Sequence, residues 1–587
     1  MPITDPPRVL RNIRWIPTAV CVTSLIVGAA GCGDGTGEAS QRGSGAAANT
    51  TGGVSSGAKG EEGGTTVSGG GGSGSGGQLA SGGTATGGST GGRSSGGATA
   101  GGGATSGGGA TSGSSGSTTS GGTVSTGGAP ATAGTGGGTG KVIRNDTFWK
   151  DTSGNFVYSQ GGGVLQVGDT FYWYGVKYNG AVTYAANPTS KNGDTSFAGV
   201  TIYSSKDLAN WKLENTVKFS NAGGWFGRLG VVHHAKTNKY IMVAQGGGGL
   251  FFAKSDTPTG NFVFDNVQIT LPDIVNGNTG DQTLFQDDDG KAYLICSNIQ
   301  GRSNLYVVPL RESDYLAIGT PTRIFRGAGR EGNALFKYDG RYYFCSSDLH
   351  GWNSSHTYCL AATNILGPYG AEFVMTNTDA DYSHVTQTGF FITVKGTQSS
   401  FVIFAGDRWA DFAGNGIGYN QWLPLSFEGS NPVFHSLSEW TIDAQAGTWS
   451  VGERNNFALN PSFEADRVSI TTPAGWTTTN GSNVSGGHTG RWSWQLGNNA
   501  SLEQQVTDLP NGTYRLSAWV KGSAASGAKL YAKGFGGNAP SASLSNATSA
   551  WTNVSLPGIV VTNGKGQIGL STGAGSLSVD DILLVKQ

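Results

Sequence analysis

Five segments of this chain open on a polar residue and then turn apolar, at intervals too even to be accidental. They are Gln160-Gly161-Gly162-Gly163-Val164-Leu165, Arg228-Leu229-Gly230-Val231-Val232, Asp281-Gln282-Thr283-Leu284-Phe285, Glu331-Gly332-Asn333-Ala334-Leu335-Phe336 and Gln387-Thr388-Gly389-Phe390-Phe391. A tight turn and a second, aromatic-rich run follow each: Phe171-Tyr172-Trp173-Tyr174, Lys239-Tyr240-Ile241-Met242, Lys291-Ala292-Tyr293-Leu294, Arg341-Tyr342-Tyr343-Phe344 and Phe401-Val402-Ile403-Phe404. The starts lie 68, 53, 50 and 56 residues apart. Hairpins repeated at that period predict the blades of a five-bladed β-propeller. The first strand of every blade lines the axis, so the polar heads converge. Asp281, Glu331 and Gln387 therefore mark a candidate site.

The folded mass is smaller than 587 residues implies. From about Gly33 to Gly140 the chain is almost wholly Gly, Ser, Thr and Ala. Such a tract has too little apolar surface to offset its ordering entropy, so a disordered linker is expected, its ends on the order of 55–60 Å apart. Before it, Arg8, Arg11 and Arg14 precede an apolar run from Trp15 to Ala30, too short to span a bilayer comfortably. This reads as an export signal. Ala29-Ala30-Gly31-Cys32 resembles a bacterial lipobox with Cys32 as the lipidated residue, although Ala29 stands where Leu is usual. A plain secretory signal cleaved nearby is the alternative. The domain order expected is thus 1–32 signal, 33–140 linker, 141–452 propeller and 453–587 a second β unit.

A net charge of −1 with 13% charged residues leaves no electrostatic footprint for nucleic acid, and membrane association is expected only through a lipid anchor. Low charge with 15 Trp and 19 Tyr suits a neutral polyhydroxylated ligand. Cys345 and Cys359 end and begin successive strands of one blade, so a disulfide is open to them in an exported protein, as is its absence. Cys296 reads as buried and inert. His233, His234, His350, His356 and His384 lack zinc spacing. Asp287-Asp288-Asp289-Gly290 is a hairpin turn rather than a calcium loop.

After Trp449, Asn460-Pro461-Ser462-Phe463-Glu464, Gly475-Trp476, Gly512–Val520 and Val579–Val585 mark short alternating strands, which predict a β-sandwich. These stretches resemble the jelly-roll carbohydrate-binding modules of polysaccharide-degrading enzymes. The resemblance implies a structural calcium held by Glu464 and Asp581. Trp492 and Trp494 are candidate stacking faces for a sugar, or core residues.

From about Asn145 to Trp449 the chain resembles glycoside hydrolase family 43, and within it the exo-β-1,3-galactanase branch. Gly161–Leu165 with Phe171–Gly175, Thr283–Leu294, Glu331 with Leu335–Gly340, Gly351-Trp352-Asn353, Gly406–Trp409 and Trp422–Leu425 carry that resemblance. It implies an inverting glycosidase, which needs an acid at the leaving oxygen and a base that activates water on the opposite face. By resemblance Glu331 is the general acid and Asp281 the carboxylate that raises its pKa. Most of the family has an aspartate base on the first blade. This chain has Ser159-Gln160-Gly161 there, and the resemblance assigns the water-positioning or base role to Gln387. Gln160, Arg228, Trp352, Asp407 and Arg408 are the expected substrate-binding residues.

Two departures stand near the pocket. The branch carries Glu-Arg-Pro at the start of blade two, where this chain has Gly227-Arg228-Leu229, and Tyr158-Ser159-Gln160 replaces a common Ala-His pair. No cofactor is required for this chemistry, a structural calcium aside. The expected substrate is a plant-type or microbial galactan or arabinogalactan. The alternatives are an α-L-arabinofuranosidase or β-xylosidase on the same scaffold, or a non-catalytic glycan-binding protein.

Overall fold

The computed structural model describes residues 140–187, 194–351, 353–408, 419–465, 473–523 and 527–587. The export segment with Cys32, the Gly/Ser-rich tract up to residue 139, and Trp352 lie outside the described residues.

Five four-stranded antiparallel sheets follow one another along the chain, each in simple up-and-down order. Their first strands are Gln160–Val167, Gly227–His234, Thr279–Gln286, Arg330–Tyr338 and Gln387–Lys395. Each touches the first strand of the next sheet, and the fifth returns to touch the first, so the ring closes. Between the sheets lie apolar layers such as Trp173, Trp211 and Trp422, or Phe336, Tyr343 and Phe404, all buried. Alternating side chains on a pleated strand put these residues on the faces that meet the neighbouring blade.

The expected count of five blades is corrected to six sheets. The sixth has three strands, Lys141–Arg144, Glu439–Asp443 and Thr448–Val451, and joins the start of the folded chain to the segment after the fifth sheet. Its Ile143, Trp440 and Ile442 pack with Trp173 and Trp422 of the first and fifth sheets. Asn145, just after the first of these strands, donates to the carbonyls of Trp422 and Leu437 and accepts from the Trp422 N–H. The repeat signature missed this sheet for a physical reason. It has no polar-headed strand at the axis, and that head is what made the other five recognisable.

A β-bulge interrupts the first strand of every four-stranded sheet at or just after its head. The register shifts at Gln160/Gly163, Gly227/Gly230, Thr279/Gln282, Glu331/Ala334 and Thr388/Phe390. A bulge bends the strand and re-aims side chains: Arg228 and Asp281 lie inside it and leave the ladder, while Gln160, Glu331 and Gln387 are still paired just before it. Gly161 and Gly332 take the left-handed backbone this requires, at φ 55° and 59°. Arg228 takes it without being glycine, at φ 45°. Cys345 and Cys359 face each other across adjacent strands and form a disulfide.

In the C-terminal region eight strands form one continuous sheet around a single core, rather than the two separate sheets of the expected sandwich. The long strand Trp492–Val506 accounts for this. Its first part pairs with Leu577–Lys586 and its second with Gly566–Ser571, so it carries the ladder from one layer into the other. Trp492 and Trp494 are 5% and 0% exposed and belong to the core, which corrects their reading as stacking faces. Inward alternation along this strand buries both indoles, while Trp519 and Trp551 remain partly exposed beside His488.

Candidate active site

Arg228 is the hub. Its guanidinium lies 2.8 Å from Asp281 Oδ2 and 3.3 Å from Asp407 Oδ2, and it donates to Gln387 Oε1 at 3.3 Å. Gln387 in turn donates from Nε2 to Glu331 Oε1 and to the Gly351 carbonyl, each at 2.8 Å. Asp281 Oδ2 also accepts from the Gly332 N–H at 2.9 Å, next to Glu331. Heads of blades two to five, apart by up to 159 residues in sequence, thus meet in one hydrogen-bonded cluster. Gln160 heads the first blade and is buried; its neighbour Gly161 donates to Asp407 Oδ1 at 3.2 Å.

Burial, joined by the like charge of Asp281, raises the pKa of Glu331 to about 7 against the pull of Arg302 and Arg228. A carboxyl of that kind is protonated near neutrality and can give its proton to a leaving oxygen. Asp407 is likewise raised, to about 6, chiefly because it is fully enclosed. Arg228, though buried, is held firmly charged by Asp281, Asp407 and Glu331. One cation set among three carboxylates keeps part of their charge neutralised while leaving Glu331 free to hold a proton.

Arg408 does not join this cluster. Neighbours on a strand face opposite sides, and since Asp407 faces Arg228, Arg408 faces the sixth sheet. There it binds Asp146 Oδ1 at 2.7 Å. Asp146 also meets His384 Nε2 at 3.1 Å. Although desolvation opposes it, the Asp146 carboxyl is held well below the usual range by His384 and Arg408. His384 belongs to an unusual turn, Tyr382 to Val385, whose four residues all have φ between 52° and 59° just before Gln387.

Four participants were not foreseen. Arg302 lies 3.7 Å from Glu331 Oε2 and comes from a loop with no periodic signal. Tyr178, Trp225 and Gln245 surround Gly227: the two rings stack at 5.6 Å, and Trp225 Nε1 donates to Gln245 Oε1 at 3.3 Å. Apolar patterning marks Tyr178 and Trp225 as core, so nothing in the sequence singles them out. Gly332 is a sensitive point. A Cβ there would sit 2.4 Å from the Thr388 carbonyl oxygen, in a left-handed conformation. Gly332→Ala should destabilise the fold by about 2–4 kcal/mol and lower turnover more than about tenfold, read by urea melts and initial rates.

In the C-terminal region Glu464 Oε1 accepts from the N–H groups of Arg491 and Trp492. Asp581 binds His488 Nδ1 and Thr489 Oγ1. Between them Asp580 is raised to about 9 by burial and by Asp581. Among the described residues no three His, Cys, Asp or Glu side chains are gathered to hold a metal ion. The two carboxylates expected to hold calcium, Glu464 and Asp581, are bonded to N–H and O–H groups of the 488–492 segment.

Residues 164–418 match the family profile of glycosyl hydrolases family 43. The matched stretch runs from the first to the fifth of the four-stranded sheets. Solved structures with a related chain trace include the exo-β-1,3-galactanase of Phanerochaete chrysosporium with β-1,3-galactotriose, at 21% identity over 76% of this chain and 100% of that one, with a TM-score of 0.47. The exo-β-1,3-galactanase of Clostridium thermocellum aligns at 24% identity over 64% of this chain and 90% of that one, TM-score 0.47. A family 43 β-1,3-galactosidase aligns at 27% over 51% and 64%, TM-score 0.43. No curated protein matches the chain at the level of sequence.

Proposed function

We propose that the chain is an exo-acting, inverting β-1,3-galactosidase of galactan and arabinogalactan, with Glu331 as general acid, Asp281 as its modulator and Gln387 as the group that places the attacking water. The observation that carries this is the amide of Gln387 bonded to Glu331 at 2.8 Å and to Arg228 at 3.3 Å, in a site whose first blade presents Gln160 and no carboxylate. An enzyme without a carboxylate base must orient water by hydrogen bonds. In the free site both Gln387 donors and its oxygen are engaged, so substrate has to displace one partner before water can be held. Arg228 and Asp407 set the charge of the site, and Gln160 stands next to Gly161, which bonds to Asp407; this supports substrate-binding roles for all three.

The C-terminal unit is read as a glycan-binding module. The first 32 residues are read as an export signal ending in a lipid anchor on Cys32, from their basic front and apolar run. Loss of membrane partition in Cys32→Ser would bear out the anchor, and unchanged partition would remove it.

The test is a panel of β-1,3-galactan, arabinan and xylan, with the anomer of the first product followed by NMR. Release of α-galactose from galactan is expected. Turnover of arabinan or xylan alone would move the protein to the arabinofuranosidase or xylosidase reading. Glycan binding with no turnover at all would make it a binding protein.

A further inference from the structure

Gly227 stands at the first position of the second blade's bulge, the place that Gln160 and Glu331 take in blades one and four. A side chain there would stand next to Arg228, the hub of the charged cluster. Instead the space is filled from the side. A Cβ on Gly227 would lie 2.7 Å from Trp225 Cζ2 and 2.9 Å from the Tyr178 hydroxyl. The indole is held on three counts. It stacks on Tyr178, which is fully buried and donates to the Phe226 carbonyl at 3.1 Å. Its Nε1 is tied to Gln245. Gln245 in turn donates to the carbonyls of Gly280 at 2.6 Å and Thr279 at 3.0 Å, just before Asp281. Trp225 itself remains partly exposed.

We infer that Trp225 is the pocket's sugar-stacking wall, set in the place of a polar head, and that Gly227 is there to admit it. This rests on the galactosidase reading and specifies how the terminal ring is chosen. A galactose ring has an axial C4 hydroxyl, which leaves the C3, C4 and C5 hydrogens together on one face. That face is apolar enough to lie on an indole while the opposite edge meets the charged cluster of Arg228, Asp281 and Asp407. An equatorial C4 hydroxyl breaks up the apolar face, so glucose is disfavoured by geometry rather than by charge. A locked aromatic loses little entropy on binding, which makes it a discriminating surface.

Three readings test this together. Trp225→Ala should raise KM for β-1,3-galactan about 5–10-fold, with a smaller effect on kcat, and Trp225→Phe should fall between it and wild type. Gly227→Ala should raise KM similarly, because the methyl displaces the ring. In the Trp225→Ala background the same change should add less than it does alone, since the indole is gone and only the Tyr178 hydroxyl has still to give way. Galactose, and not glucose, should change the tryptophan fluorescence of wild type, and Trp225→Phe should lose that change. A thermal midpoint near wild type shows that each variant is folded. KM within twofold of wild type in Trp225→Ala, or additive effects in the double variant, would overturn the inference while leaving the galactosidase reading intact. A Trp225-dependent galactose signal without galactan turnover would support the wall and sink the galactosidase reading instead.

Discussion

Glu331→Gln is expected to lower kcat on β-1,3-galactan by about 10²–10⁴-fold with little change in KM, since the amide keeps the shape and loses the proton to donate. The wild-type rate should fall as pH rises through about 7, where burial and Asp281 set the acid's titration. Asp281→Asn should shift that alkaline limb down, because the like charge that helps hold the proton is removed. The same shift has a stability signature. The folded state binds the Glu331 proton more tightly than the unfolded chain, whose value is near 4.5. Stability from this group is therefore complete below about 4.5 and is lost as pH rises towards 7, by roughly 3 kcal/mol. Asp407, raised to about 6, slopes the same way. Glu331→Gln should flatten the fall without abolishing it. Urea melts of both proteins at pH 5 and 8 measure this, and parallel pH curves would refute the burial and repulsion assigned to Glu331.

Arg228→Met should be the most damaging single change to stability. It leaves Asp281 and Asp407 at the axis without their cation, and removing one partner of a buried pair costs about 3–5 kcal/mol. Methionine keeps the length and the strained φ of 45°, so the loss reports charge rather than backbone. The effect should be smaller at pH 5, where Asp407 can take up a proton. Arg228→Lys should recover only part, because a single ammonium cannot span Asp281, Asp407 and Gln387 as a forked guanidinium does. A loss below about 1 kcal/mol at pH 8 would mean that the pairs seen here are not what neutralises the site.

The heads of the blades were legible because a propeller repeats one local pattern, and a polar residue that begins an apolar strand in every repeat marks the strand's axial end. Asp281, Glu331 and Gln387 were found that way, and they do meet. Arg228 was expected to touch substrate; its pairing with two carboxylates could not be seen, because the partners lie in blades three and five. Arg408 was expected beside the substrate with Asp407 from the resemblance, yet strand alternation turns it to the sixth sheet and Asp146. The sixth sheet itself was invisible, since it is assembled from strands 295 residues apart that carry no repeat signature.

By itself the sequence determined the class of fold and the residues that head its strands, because turn chemistry, period-two alternation and repeat spacing are local properties. Tertiary structure alone decided three things. It made Arg228 the common counter-ion and allowed Trp225 to occupy the space above Gly227. It also held a proton on Glu331 near neutrality. Each depends on distances between blades, and both desolvation and Coulomb interaction are sums over neighbours in space, which the order of residues along the chain does not specify.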